Sequence, residues 1–471
     1  MRLGSAQQWN PRPGRIVQWE PAERTITAAE RAAPHPVGPS FLQRDHIFSS
    51  LAHRAAGREH RGFTCSTLHV RTELDESRMT AALTDFLNAH EGLRSSFRVD
   101  GTTITRYVVD PGDIELCSSV SEESDPHTHL AQRLPVTAVF DALPGCAFGA
   151  VTRRGSFDLY YAIDHAYGDG ASQVLGLLEI LARYRGEHDH PLVATDHGSY
   201  LDYVADEYIR AAQVDETSPG VVEWRRVLSR SGGVIPAFPL SLGLSSDESG
   251  PVPQDVVIHD AELADATATE SLSALAKEHR TSMSAVIYAA LGVAQRRLSG
   301  SDWYATASVV STRGQREHSR SQGWYCNFAP VGFEVAGDDF GAVIDAAADA
   351  LARAKSAAGD PVHASLGVLL AEGAIDPSVV TSPQMVTYLD FRWFPTPSQA
   401  SDLLVFTGEG RTRNASVWIG RNADGLRIGT QRPNNLTAAE SVSRYFATVR
   451  GVLAEALAGS GGGRLMPVEV G

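Results

Sequence analysis

The stretch FDLYYAIDHAYGDGASQVLGLLEILARYRG, residues 157–186, constrains the fold more than any other part of this sequence. Its first eight residues, FDLYYAID, are β-rich and mostly apolar, so they read as a strand that must be largely buried. Its last seventeen, GASQVLGLLEILARYRG, read as an apolar helix ending at Gly186. The short turn HAYGD separates them. A buried strand that passes through a tight turn into a buried helix belongs to a layered α/β architecture.

The same texture recurs along the chain. Met79, Leu83, Phe86 and Leu87 fall at helical spacing between Glu73 and His90, and GLRSSFRV follows as a strand. In the second half DVVIHDAEL and WYATASVVST read as strands, with ATESLSALAKEH and SMSAVIYAALGVAQRRL as helices between them. A helix near 343–355, strands around QMVTYLDF and ASVWIGR, and a last helix from Ala438 to Ala458 complete the pattern. Composition shifts set the boundaries. Residues 1–38 are rich in Pro and Arg, carry Trp9 and Trp19, and are expected as an irregular arm on the surface. Residues 39–215 form an N-terminal lobe, the Pro/Gly/Ser-dense 216–255 a crossing linker, 256–458 a C-terminal lobe, and 459–471 a flexible tail.

Composition removes several classes of function. A formal charge of −15 argues against binding to a phosphate backbone, which requires clustered Lys and Arg. Cys65, Cys117, Cys146 and Cys326 show no CxxC spacing, as expected of thiols in a reducing cytosol. The start has no apolar stretch of signal-peptide length, and no run of about 18 apolar residues occurs, so the expected location is cytoplasmic, with no transmembrane segment.

The turn Asp164-His165-Ala166-Tyr167-Gly168-Asp169-Gly170 is where chemistry is expected. A histidine at a strand exit can serve as a general base, since an imidazole of pKa near 6.5 is largely neutral at cellular pH. Asp169 can hold an arginine, and Gly170 leaves room for a ligand to approach the backbone. The HxxxDG spacing alone is weak evidence; its company is stronger. NAHEGLRSSFRV (88–99) resembles the RHExLRTxF segment of the condensation-domain superfamily, at His90, Glu91, Leu93, Arg94 and Phe97. DHAYGDG resembles that superfamily's HHxxxDG, with Asp164 in place of the first His. STRGQR (311–316) resembles the segment whose arginine, here Arg313, pairs with the motif aspartate. GWYCNFAPV (323–331) resembles GxFxNxxPV at Gly323, Asn327 and Pro330. Trp9, Pro13, Gly14 and Trp19, FPL at 238–240, and SVWIGRNADGL (416–426) are most similar to the polyketide-associated acyltransferases of actinobacteria.

The resemblance implies two chloramphenicol-acetyltransferase-like lobes in a V with a tunnel between them. It implies an acyltransferase that moves an acyl group from a coenzyme A or acyl-carrier-protein thioester to a hydroxyl of a lipid, sugar or polyketide acceptor. His165 would be the base and no acyl-enzyme would form, since no Cys accompanies the motif and no GxSxG elbow is present. Asp169 and Arg313 would be structural at the active site, and Gly170, Asp164, Tyr167 and Asn327 would contact substrate or line the tunnel. The donor's phosphopantetheine arm is substrate, and no tightly bound cofactor is expected. A free-standing condensation enzyme forming an amide and a non-catalytic domain binding a carrier protein are the competing readings. His188, Asp189, His190, Asp196 and His197 read as a solvated loop, and no metal is expected. An acidic carrier or a polyketide synthase would need a local basic patch; Arg153 and Arg154, the row Arg225, Arg226 and Arg230, and 313–320 are the candidates. A monomer is the default.

Overall fold

The computed structural model describes residues 2–59, 61–194, 197–247, 250–337, 339–376, 383–395 and 400–459. The chain divides into two units of mixed α/β structure. The first comprises the chain up to Ile209 together with Arg313–Cys326 and Trp393–Gly408, and the second comprises Arg210–Thr312, Asn327–Arg392 and the chain from Glu409 onward. The expected boundaries are contiguous, whereas two later segments of the chain belong to the first unit. Ala400–Thr407 is there because it completes a sheet, pairing antiparallel with Phe63–Val70 and parallel with Arg2–Gly4.

The seven-stranded sheet of the first unit runs Arg2–Gly4, Ala400–Thr407, Phe63–Val70, Ser156–Asp164, Cys146–Arg153, Arg15–Pro21, Leu116–Val120. The strand Ser156–Asp164 lies at its centre, antiparallel to both neighbours. Alternate side chains of a strand point to opposite faces. Leu159, Tyr161 and Ile163 join one core with Phe86, Leu177 and Ile180, while Tyr160 and Ala162 join another with Leu130 and Leu134. Cover on both faces is why this strand reads as a nearly continuous apolar run. The helices Glu76–Ala89 and Gly170–Arg185 supply the first cover and Pro126–Thr137 the second.

The N-terminal arm differs from its expectation. Arg15–Pro21 is an internal strand between Cys146–Arg153 and Leu116–Val120, followed by the helix Glu23–Arg31. Trp19 is 2% exposed, and its indole N–H donates to Thr80 Oγ1 at 2.9 Å. Ile16 and Val17 are buried in the two cores, so burial of this apolar strand outweighs the Pro and Arg around it.

In the second unit a seven-stranded sheet runs Cys326–Glu334, Trp303–Ser311, Met385–Asp390, Val417–Arg421, Gly425–Pro433, Gln254–Asp265, Arg411–Thr412. Helices Met283–Ser299, Phe340–Ala357 and Leu436–Gly459 contribute to its core. The expected linker 216–255 contains the helix Pro219–Arg230, which buries Val221, Trp224 and Leu228 in a further cluster of this unit. The expected tail lies outside the described residues apart from Gly459, which ends the last helix.

Trp19→Ala should lower the free energy of unfolding by about 3–5 kcal/mol, as truncation of a buried tryptophan does. Urea titration by fluorescence and circular dichroism measures this; a change within about 0.5 kcal/mol is what a surface arm would give.

Candidate active site

The site is built at the end of the central strand. Asp164 closes that strand and caps the short 3-10 turn His165–Tyr167, its Oδ1 accepting from the Ala166 N–H at 2.8 Å. The His165 N–H donates to the Gly62 carbonyl at 2.9 Å, which fixes the turn to the neighbouring chain. A Cβ on Gly168 would collide with Ile163 Cδ1, so a side chain there would force the buried Ile163 to shift. Asp169 then caps the helix Gly170–Arg185, accepting from the Ser172 N–H at 2.7 Å. Aspartate is favoured at this position because its carboxylate satisfies free N–H groups and complements the helix dipole.

Asp169 and Arg313 meet directly. Arg313 Nη2 lies 3.0 and 3.3 Å from the two carboxylate oxygens, and the Tyr325 N–H donates to Oδ2 at 3.0 Å. The other arm of the guanidinium donates to the carbonyls of His318 and Ser321 at 3.0 and 2.7 Å, and its plane lies 4.5 Å from the Tyr325 ring centroid. Ser172 Oγ joins the network, donating to the Gly323 carbonyl at 2.6 Å and accepting from Arg313 at 2.6 Å and from the Gly323 N–H at 3.2 Å. Burial pushes the Asp169 carboxyl up, but Arg313 and the Ser172 hydrogen bonds outweigh it and hold it below the usual carboxylate range. An anion satisfied in this way anchors the turn and is not available as a base.

Gly323 and Tyr325, both tied to this network, flank Trp324. That indole stacks on the His165 imidazole, with centroids 4.1 Å apart and planes at 28°. Burial lowers the His165 pKa below the ordinary imidazole value, and His46 lowers it further; its own backbone carbonyl and the carboxylates of Asp164 and Asp169 act in the opposite direction. The net result is a neutral imidazole at neutral pH, in the state that accepts a proton. Beside it, an added Cβ on Gly170 would have no heavy atom within 4 Å, so the helix start is open.

Three residues expected at a substrate tunnel are otherwise engaged. Tyr167 is buried, its hydroxyl donating to the Phe140 carbonyl and its ring filling the space that a side chain on Gly145 would need. Asn327 lies in the second unit, where its amide donates to the carbonyls of Ala358 and Asp360 at 3.0 and 2.6 Å and its oxygen accepts from the N–H groups of Phe328 and Val362. It joins the end of Phe340–Ala357 to the start of Val362–Ala371. Asp164 is 0% exposed, and besides capping the turn it lies 2.8 Å from His46 Nε2. His46 and Trp324 are the site residues that sequence reasoning missed. Trp324 lies inside a segment already singled out, GWYCNFAPV, but at a position the motif leaves open.

The expected basic row is neutralised. Arg225 pairs with Glu372 at 2.9 Å, Arg226 with Glu223 and Arg230 with Glu334 at 2.6 Å each, and Arg153 with Asp158 at 2.6 Å. The expected solvated loop is also only partly so: Asp196 lies outside the described residues, but the His197 side chain is 5% exposed. Its ring centroid is 4.3 Å from that of His90, and His90 Nε2 lies 2.9 Å from Glu179. His90, Glu179 and His197 offer ligand atoms within 4.8 Å of one another. Arg183 already donates to the same carboxylate at 2.8 Å, and a dication bound there would meet its charge. Burial pushes the Glu179 carboxyl up, and the two histidines more than reverse that, so it is ionised well below the usual range.

Asp169→Asn should destabilise the first unit by about 3–5 kcal/mol at neutral pH, since one partner of a buried ion pair is left uncompensated. Because the folded pKa of Asp169 is lowered, this stabilisation is present above the unfolded value of about 3.9 and is lost as pH falls through the folded one. Unfolding curves of parent and variant should therefore converge in acid; a difference independent of pH would contradict the ion pair.

The condensation-domain family matches residues 52–364. The chain is 27% identical over 468 residues to the 2'-acyl-2-O-sulfo-trehalose (hydroxy)phthioceranyltransferase PapA1 of Mycobacterium tuberculosis, covering 96% of this chain and 88% of that protein. It is also 27% identical over 479 residues to the acyltransferase PapA3 of the same organism, covering 96% of each. Among solved structures, a PapA2 acyl transferase superposes with a TM-score of 0.87 at 22% identity, covering 97% of this chain and 100% of that one. The first condensation domain of the calcium-dependent antibiotic synthetase, with a substrate analogue bound, superposes with a TM-score of 0.66 at 17% identity, covering 90% and 98%. Both superpositions agree in fold with the mixed α/β architecture of the chain, which belongs to the condensation-domain family.

Proposed function

We propose that His165 is the general base with which this acyltransferase moves an acyl group from a phosphopantetheine thioester, of coenzyme A or an acyl carrier protein, to an acceptor hydroxyl. The observation that carries the reading is the placement of the imidazole, stacked on Trp324 and fixed by a turn whose aspartate is locked to Arg313, where burial lowers its pKa and so favours the neutral form. As the acceptor oxygen attacks the thioester carbonyl, His165 takes its proton, so no free alkoxide forms. The C–S bond then breaks, and the imidazolium returns the proton to the departing sulfur. The acyl group ends on oxygen, the thiol leaves, and His165 is neutral again. The backbone N–H at the open start of the helix Gly170–Arg185 is the donor we assign to the carbonyl oxygen in the transition state.

Direct transfer is also supported by three of the four cysteines. Burial pushes the thiols of Cys65, Cys146 and Cys326 up, away from the thiolate form a covalent nucleophile needs. The acceptor class is suggested by PapA1 and by a PapA2 of Mycobacterium bovis, whose names specify acylation of a sulfated trehalose. We therefore assign a hydroxyl of a sugar-containing lipid, or of a related lipid or polyketide, as the acceptor. No helix among the described residues is long and apolar enough to cross a membrane.

Thiol release from acyl-coenzyme A of graded chain length, with alcohols, sugars and amines as acceptors, tests the reading. His165→Ala should lower acceptor-dependent release about 10²–10⁴-fold, the range of general-base contributions. Release unchanged by the substitution would remove His165 from the chemistry, and preference for an amine would replace the ester by an amide. Because the His165 pKa is lowered, kcat/KM should stay flat through neutral pH and fall only below the ordinary imidazole value of about 6.5. An acid limb centred at or above that value would contradict the assignment.

A further inference from the structure

The HxxxDG turn is held from outside by a helix that the motif does not include. On Phe41–Ala55, Gln43 and His46 stand three residues apart and so share one face. The Gln43 side-chain amide donates to the Ala166 carbonyl at 2.5 Å, and His46 Nε2 lies 2.8 Å from Asp164 Oδ1. One helix face thus grips the turn on both sides of His165. The His46 ring also meets the Trp324 indole edge to face, with centroids 5.9 Å apart at 77°, and lies 6.1 Å from the His165 ring. The indole on which His165 stacks is therefore in contact with both histidines.

A carboxylate at Asp164 requires such a partner. It is fully buried and adjacent in sequence to the proposed base, and a buried anion must be compensated by donors or it neutralises itself. The Ala166 N–H is one donor and His46 another, brought from 118 residues earlier in the chain. His46 faces His165 from Phe41–Ala55, while Asp164 and Asp169 face it from its own turn. Arg54, on the same helix as His46, feels the Asp164 carboxylate but is committed to Asp141 through two hydrogen bonds of 2.6 and 2.8 Å. Tyr167, also near Asp164, is held un-ionised by burial.

We propose that His46 is a positioning residue for His165, acting through its contacts with the buried Asp164 carboxylate and with the Trp324 indole. The inference rests on His165 as the base for its effect on turnover, but not for its effect on the His165 ring itself. His46 and Asp164 act on that ring with opposite sign, so removing either one alone shifts it in a direction that identifies which was removed.

The test uses His46→Leu, which removes the donor, His46→Gln, which keeps one without an imidazole, Asp164→Asn, and the double variant His46→Leu/Asp164→Asn. Two readouts are taken: the His165 titration by NMR on histidine-labelled full-length protein, assigned by the resonance missing from His165→Ala, and the pH profile of kcat and KM for thiol release. His46→Leu should move the His165 titration and the acid limb up by about half a pH unit or more, and Asp164→Asn should move both down. The double variant should fall between them. His46→Leu should lower kcat roughly tenfold with little change in KM for acyl-coenzyme A, and His46→Gln should recover most of that loss. A His165 titration unmoved by His46→Leu and Asp164→Asn, or moved by both in one direction, overturns the proposal. If His46→Leu does not fold, His46→Gln, which also removes the imidazole, takes its place in the NMR comparison with Asp164→Asn, and the same two outcomes decide. If His165→Ala still releases thiol, the base assignment fails, and the NMR titration alone then decides whether His46 and Asp164 act on the His165 ring.

Discussion

The Asp169 carboxylate is the point at which several otherwise independent segments of the first unit are joined. It caps the helix Gly170–Arg185, takes the Arg313 guanidinium and accepts the Tyr325 N–H. Gly323, two residues before Tyr325, is tied to the same helix start through Ser172 Oγ. Trp324 is therefore fixed from both sides by bonds that end on the motif turn, and its indole defines one face of His165. A buried ion pair adds little net stability over an apolar contact, but breaking it from one side is costly. The value of this pair is geometric: it brings a segment from more than 140 residues away onto the HxxxDG turn and holds it there.

The proposed chemistry depends on keeping the imidazole neutral without isolating it. Burial lowers its proton affinity, and carboxylates on either side in sequence limit how far that goes. A base must be mostly deprotonated at working pH yet basic enough to take a proton in the transition state, and the optimum lies near that pH. The environment of His165 meets both demands with burial, two acids and one neighbouring histidine.

Much of the site was legible in the sequence because its anchors are local. The strand Ser156–Asp164, the glycine at 168 and the helix beginning at Gly170 are adjacent, and their apolar pattern is dense enough to show that both faces of the strand are covered. Arg313 was found through its segment rather than its spacing, since nothing in a charge 144 residues away identifies its partner. What escaped notice shares one property, dependence on tertiary context. Ile16, Val17 and Trp19 lie in a short strand among prolines and arginines, where loop composition masks the strand. His46 sits on a helix whose sequence carries no motif, and only the fold sets it against Asp164. Asn327 and Tyr167, both singled out through motifs, have their polar atoms engaged by the backbone: the Asn327 amide nitrogen and the Tyr167 hydroxyl donate to carbonyls, and the Asn327 oxygen accepts from two N–H groups. Membership of a motif marks a residue the fold needs, and does not distinguish contact with substrate from support of the backbone.

Direct transfer through His165 is the central claim, and rapid-quench intact-mass analysis addresses it without assuming an acceptor. The protein is mixed with excess long-chain acyl-coenzyme A alone, quenched over milliseconds to minutes, and weighed. The account predicts an unmodified mass at every time and no stoichiometric burst of free thiol until an acceptor alcohol is added. A mass increase of one acyl group that forms before acceptor and disappears with it would show a covalent acyl-enzyme and contradict the account.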